Sequence, residues 1–187
     1  MSENLDDKLY NHLITSVQNW FETGNGNGVS YFHIFKFGNG KSFHLDNVWL
    51  GGKKRNAEFC VTICSSDSIC EHYIMHLSLK FNDKLQADFN HDVELQGDIL
   101  RVIHDIYNVP NPPNSVISYS SIEDKIHIFQ ELYFYPGSMP PQEEIFRLIE
   151  DFIHRDYVNQ IADIIADNAW KDPLPYLIEQ LKDERKY

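Results

Sequence analysis

Residues 125–168 read KIHIFQELYFY (125–135), PGSMPP (136–141) and QEEIFRLIEDFIHRDYVNQIADIIADN (142–168). The first piece is rich in β-branched and aromatic residues, which fit a pleated strand. The Pro-Gly-Ser-Met-Pro-Pro piece is a break. The third piece opens after Pro141, where a missing N–H costs a helix nothing, and carries Glu143 and Glu144 in the first turn. Ile145, Leu148, Ile149, Phe152, Ile153, Tyr157, Ile161, Ile164 and Ile165 then recur as an apolar stripe, which predicts one long helix over 142–168. The strand is two-sided. One face holds Ile126, Ile128, Gln130, Leu132 and Phe134, and the other His127, Phe129, Glu131, Tyr133 and Tyr135. A sheet covered on one side normally shows polar residues on the other. Here aromatics stand there instead, so that face is covered by the protein's own helices or is offered to a partner.

Working back toward the N-terminus, residues 115–120 supply the hairpin mate of 125–135. A helix is expected over 95–107, with Ile99, Leu100, Val102, Ile103 and Ile106 as its apolar side. It stops at residues 108–114 (NVPNPPN), because proline cannot continue a helix. Residues 82–94 read as an acidic loop. Four strands precede it, over 29–37, 42–50, 57–64 and 71–81, joined by short turns at 38–41, at the basic and exposed 51–56, and at 65–70. Short connections between successive strands predict an antiparallel meander. A first helix over 5–21 carries Leu9, Leu13, Val17, Trp20 and Phe21. Gly24-Asn25-Gly26-Asn27-Gly28 ends it with residues that tolerate left-handed backbone. The fold class is therefore α+β, with an antiparallel sheet of about five to six strands packed against N-terminal, middle and long C-terminal helices. Residues 1–170 form one domain, and 171–187 a short terminal helix or tail.

Composition narrows the functional classes. Of 187 residues, 42% are hydrophobic and 24% charged, enough apolar material for a core. The formal net charge is -12, which repels phosphate backbones and anionic lipid and suits a basic protein partner. Nucleic acid and membranes are thus poor partners. The polar start (MSENLDDK, 1–8), the lack of an apolar run of ~18 residues and an odd cysteine count of three all point to a reducing cytoplasm.

No catalytic motif holds up. Gly40-Lys41-Ser42 ends like a phosphate-binding loop, but the glycine required five positions earlier is Phe35, and strand lies on both sides. Cys60, Cys64, Cys70, His72 and His76 crowd two strands without the spacing of a zinc site. Cys60 and Cys64 stand ~13 Å apart along a strand, too far for one metal. No metal or cofactor is expected. Glu58 and Glu131 lie within strands, an unusual place for glutamate. Glu131 with His127 is the pair a hydrolase would use, and Cys64, Cys70 and His72 the set a metal-dependent regulator would use.

From residue 95 onward the order of elements resembles type III secretion chaperones and the related YbjN family. A helix ends in Asn108-Val109-Pro110-Asn111-Pro112. Hairpin strands follow at 115–120 and 125–135, then a helix after Pro141. The N-terminal block holds one strand more than that pattern. The resemblance implies a small, acidic, non-enzymatic protein that binds another polypeptide, often as a homodimer. The expected binding residues are Phe129, Glu131, Tyr133 and Tyr135, with Tyr31 and Phe35 beside them if their strands pair. An immunity protein that inhibits a basic toxin fits the same features.

Overall fold

A computed structural model describes residues 5–23, 32–37, 40–65, 72–83, 85, 93–107, 115–120 and 125–169. In chain order the elements are α1 (Leu5–Glu22), β1 (His33–Phe37), β2 (Gly40–Asp46), β3 (Trp49–Leu50), β4 (Lys53–Lys54), β5 (Ala57–Ser65), β6 (Tyr73–Phe81), α2 (Val93–Tyr107), β7 (Ser115–Ser120), β8 (Lys125–Phe134), α3 (Gln142–Ile153) and α4 (Asp156–Asp167). The fold is α+β. Six strands pair antiparallel in the order β1-β2-β5-β6-β8-β7. Tyr31, the 24–28 loop, Cys70 and the 171–187 tail lie outside the described residues.

One face of the sheet makes the core. Phe43 and Leu45, then Phe59, Val61 and Ile63, then Met75, Leu77 and Leu79, then Ile126 and Ile128 are all buried and belong to a single cluster. All four described helices contribute to that cluster. From α1 come Leu9, Leu13, Val17, Trp20 and Phe21, and from α2 Leu95, Ile99 and Val102. Burying one apolar stripe per helix against one sheet face is the usual solution for this class. Polar contacts fix α1 against α3. Trp20 Nε1 donates to Glu150 Oε1 at 2.9 Å, and Asn19 Nδ2 donates to Gln142 Oε1 at 2.8 Å. His12 Nε2 meets the Pro140 carbonyl at 2.8 Å.

Three expectations need correction. The single helix over 142–168 is two, with His154 (φ -95, ψ 10) closing α3 and Arg155 (φ -62, ψ 139) opening α4. The reason is geometric. A helix turns ~100° per residue. On one continuous helix, the buried set Ile145, Ile149, Phe152 and Ile153 would face roughly half a turn away from Tyr157, Val158, Ile161, Ala162 and Ile165. Breaking the helix lets both sets enter the core, α3 packing on α1 and α4 on α2 and β3.

The strand over 42–50 ends at Asp46, because Asn47 takes a left-handed φ of 57. Beyond it, β3 and β4 form a separate two-stranded hairpin. Gly51 (φ 56) and Gly52 (φ 72) are its tip, the pair of positive φ values that a tight two-residue hairpin turn demands.

Nor is the basic 51–56 turn wholly exposed. Arg55 keeps only 11% of its side chain in solvent and pairs with Asp163 of α4, with Lys53 Nζ at 3.4 Å from the same carboxylate. The hydrogen bond from Arg55 holds the Asp163 carboxyl below the usual carboxylate range. Burial pulls the other way, and the charges of Arg55 and Lys53 add to the lowering. A depressed folded-state value stabilises the fold above the unfolded carboxylate pKa of ~3.9, and the gain is lost as pH falls through the folded value. Since 54% of the Asp163 side chain is exposed, Asp163→Asn costs less than about 1 kcal/mol. Urea unfolding should show that cost at pH 7, and the cost should shrink only as pH falls below the unfolded carboxylate value and through the lower folded one.

Candidate functional site on the outward sheet face

The strand residues that point away from the core form a lattice set by register. One row runs Phe35, Ser42, Thr62, His76, Glu131 across β1, β2, β5, β6 and β8. The next runs His33, His44, Cys60, Ser78, Phe129. A third holds Asp46, Glu58, Lys80, His127, and a fourth Cys64, Ile74, Tyr133. None of these side chains joins the core cluster. So, among the described residues, the helices take one face of the two-sided strand: Ile126, Ile128, Gln130 and Phe134 are buried, whereas His127, Phe129 and Glu131 are half-buried and Tyr133 and Tyr135 exposed.

Aromatic residues stand at two ends of this face. At the β1 edge Phe35 is 53% exposed and meets the His44 ring edge-on, centroids 4.8 Å apart. At the far end Tyr133 and Tyr135 are 48% and 57% exposed, each with its ring 5.6 Å from that of His72. A pocket of about 430 Å³ continues past them, lined by Leu132, Tyr133, Tyr135, Met139, Pro140 and Leu148. Phe35 and Tyr133 are therefore not neighbours. Three strands separate β1 from β8, about 19 Å at the usual interstrand spacing. The condition on which Phe35 would join the Phe129 group, pairing of its strand with β8, is not met: β1 pairs with β2 at the sheet edge, and β8 pairs with β6 and β7.

Between the ends the face is polar and paired. His76 Nε2 lies 3.1 Å from Glu131 Oε1, and the Tyr133 hydroxyl donates to Glu131 Oε2. That hydrogen bond holds the Tyr133 phenol above its ordinary range, with burial and the charge of Glu131 acting the same way. The second cluster went unread in the sequence. His44 Nδ1 pairs with Glu58 Oε1. His44 Nε2 lies 2.8 Å from Ser42 Oγ and 3.4 Å from Cys60 Sγ. Ser42 Oγ also meets Thr62 Oγ1 at 2.7 Å and Cys60 Sγ at 3.1 Å. The available signal was Ser42-x-His44 and Glu58-x-Cys60 in successive strands: period two puts each pair on one face, and pairing brings them together.

The chain matches no family model, no curated protein and no solved structure.

His127 and Glu131 do not form a dyad. They stand four residues apart on β8, ~13 Å, and face Lys80 and His76 respectively. Among the described residues no three His, Cys, Asp or Glu side chains gather as a metal site. Nor does any described helix have the length and apolarity to cross a membrane.

Proposed function

We propose that the chain is a non-enzymatic, cytoplasmic binding module that holds a basic polypeptide in extended form across the outward sheet face, the one opposite the core. The observation that carries this reading is the exposure of aromatic rings on that face, Phe35 at one end and Tyr133 and Tyr135 at the other. Tyrosine and phenylalanine on a rigid sheet supply contact area at little entropic cost, and such aromatic patches mark interfaces. Asp46, Glu58 and Glu131 on the same face, on a chain of net charge -12, favour lysine and arginine in the partner. A spacing of about 19 Å between the ends accommodates some six residues of extended chain. Type III secretion chaperones, which the element order resembles, also bind polypeptides, often as homodimers. An immunity protein against a basic toxin is the same reading with the toxin as the occupant.

The test is a fluorescence-anisotropy titration with labelled nine-residue peptides. In one series lysine alternates with leucine or valine; in the other glutamate replaces lysine. The basic series should bind, and its affinity should fall as salt rises from 50 to 300 mM, as screening of complementary charge requires. Equal affinity for both series, or no binding by either, sinks the proposal.

A further inference from the structure

The Glu58–His44–Cys60 cluster lies on the same sheet face, and its chemistry is read with that face unoccupied. We propose that Cys60 is an activated thiol, a selective site of thiol–disulfide exchange with small disulfides of the glutathione type.

The hydrogen bookkeeping points that way. Glu58 on Nδ1 keeps a proton on that nitrogen, which leaves His44 Nε2 as an acceptor. The two candidate donors to Nε2 are Ser42 Oγ at 2.8 Å and Cys60 Sγ at 3.4 Å. Ser42 is only 5% exposed and cannot meet an incoming molecule. Cys60 is partly exposed, on β5, an interior strand of the sheet. A carboxylate holding an imidazole against a thiol is the arrangement that activates nucleophilic cysteines.

The surroundings also select the reaction. Ester or amide cleavage builds negative charge on a carbonyl oxygen and needs donors aimed at it. Around Cys60 the strand is paired on both sides, to β2 and to β6, so the ladder occupies the backbone. Disulfide exchange needs no such hole, since its charge stays on sulfur. Cys60 Sγ attacks one sulfur of R–S–S–R. Its proton passes to His44 Nε2, directly or through Ser42 Oγ. The Sγ–S bond forms, the S–S bond breaks, and the departing thiolate takes the proton from His44. Cys60 is oxidised, the leaving thiol is reduced, and the disulfide is the sole oxidant.

Cys64 is the internal reference. It lies four residues along the same strand, is likewise partly exposed, and directs its thiol to the Ile74 carbonyl at 4.0 Å. The full chain, carrying Cys70→Ser to leave two thiols, is incubated with glutathione disulfide at pH 7, quenched with acid and mapped by peptide mass spectrometry. Cys60 should be thiolated at least about tenfold faster than Cys64. His44→Gln should bring Cys60 down to the Cys64 rate while the Cys64 rate itself holds, which reports an intact fold. Glu58 is a positioning residue, so Glu58→Gln should change the pH dependence of the Cys60 rate and leave that of Cys64 alone. In denaturant the two rates should converge. Cys60 reacting no faster than Cys64 in the folded chain, a ratio unaffected by His44→Gln, or a ratio that persists in denaturant each overturns the proposal.

Discussion

Phe59→Ala should lower the free energy of unfolding by about 3–5 kcal/mol. Phe59 is wholly buried at the centre of the sheet, where three rings converge on it. Trp20 meets it edge-on at 5.6 Å, Phe21 stacks at 6.0 Å and Phe152 lies at 6.1 Å. These partners come from α1 and α3, so the side chain joins both helices to β5. Truncation removes the transfer energy of the ring and leaves a cavity that neighbours on rigid elements cannot fill. A domain holds together by about 5–15 kcal/mol in all, so the variant should be marginal. Urea unfolding with an unchanged slope reads the effect. The contrast is Phe35→Ala, where the ring is half in solvent and the expected cost is within about 0.5 kcal/mol. Comparable losses from the two variants would mean that the sheet's two faces have been assigned wrongly.

The second large effect concerns binding. Replacing Tyr133 and Tyr135 together by Ser should weaken the basic peptide about thirtyfold, equivalent to about 2 kcal/mol, the scale of an interface hot spot. Both rings are about half in solvent and outside the core cluster, so the fold should keep its unfolding midpoint. The loss should sit mainly in the dissociation rate, because anchoring contacts govern residence while charge governs encounter. Glu131→Gln, by contrast, should flatten the salt dependence more than it weakens binding at high salt. If the double tyrosine variant binds the peptide as the parent does, the aromatic end of the face is not where the partner sits.

Much of the fold was legible because short-range patterns report it. Alternation in 57–64 and 71–81 matched β5 and β6, and the 3.6-residue recurrence of Leu9, Leu13 and Val17 matched α1. Glu131, Tyr133 and Tyr135 were recognised as a face because side chains two apart on a strand share a side. The break at His154–Arg155 was missed for a different reason. Neither residue is a helix breaker, and the apolar residues stay densely spaced across the change of phase. The change of direction between the Phe152 and Ile161 sets is visible only when each angle is summed. The Ser42, His44, Glu58 and Cys60 cluster was missed because its members are separated by a hairpin and a turn in sequence. From the sequence Ser42 reads as the start of the strand over 42–50, Cys60 as one of a set without zinc spacing and Glu58 as a strand carboxylate.

By itself the sequence determined the class of each main segment, the two residue sets of each strand and the acidic charge that restricts partners. Those are local or additive properties, carried by periodicity, backbone preference and a sum over side chains. Only the tertiary structure decided which of the two sets on β8 met the helices, where β8 entered the sheet, and which residues of β2 faced which residues of β5. Register and strand order follow from packing the whole core at once, since a one-residue slip would turn every buried side chain outward. The outward face, with Phe35 at one edge and the His44–Cys60 contact near its middle, is a consequence of that single packing solution.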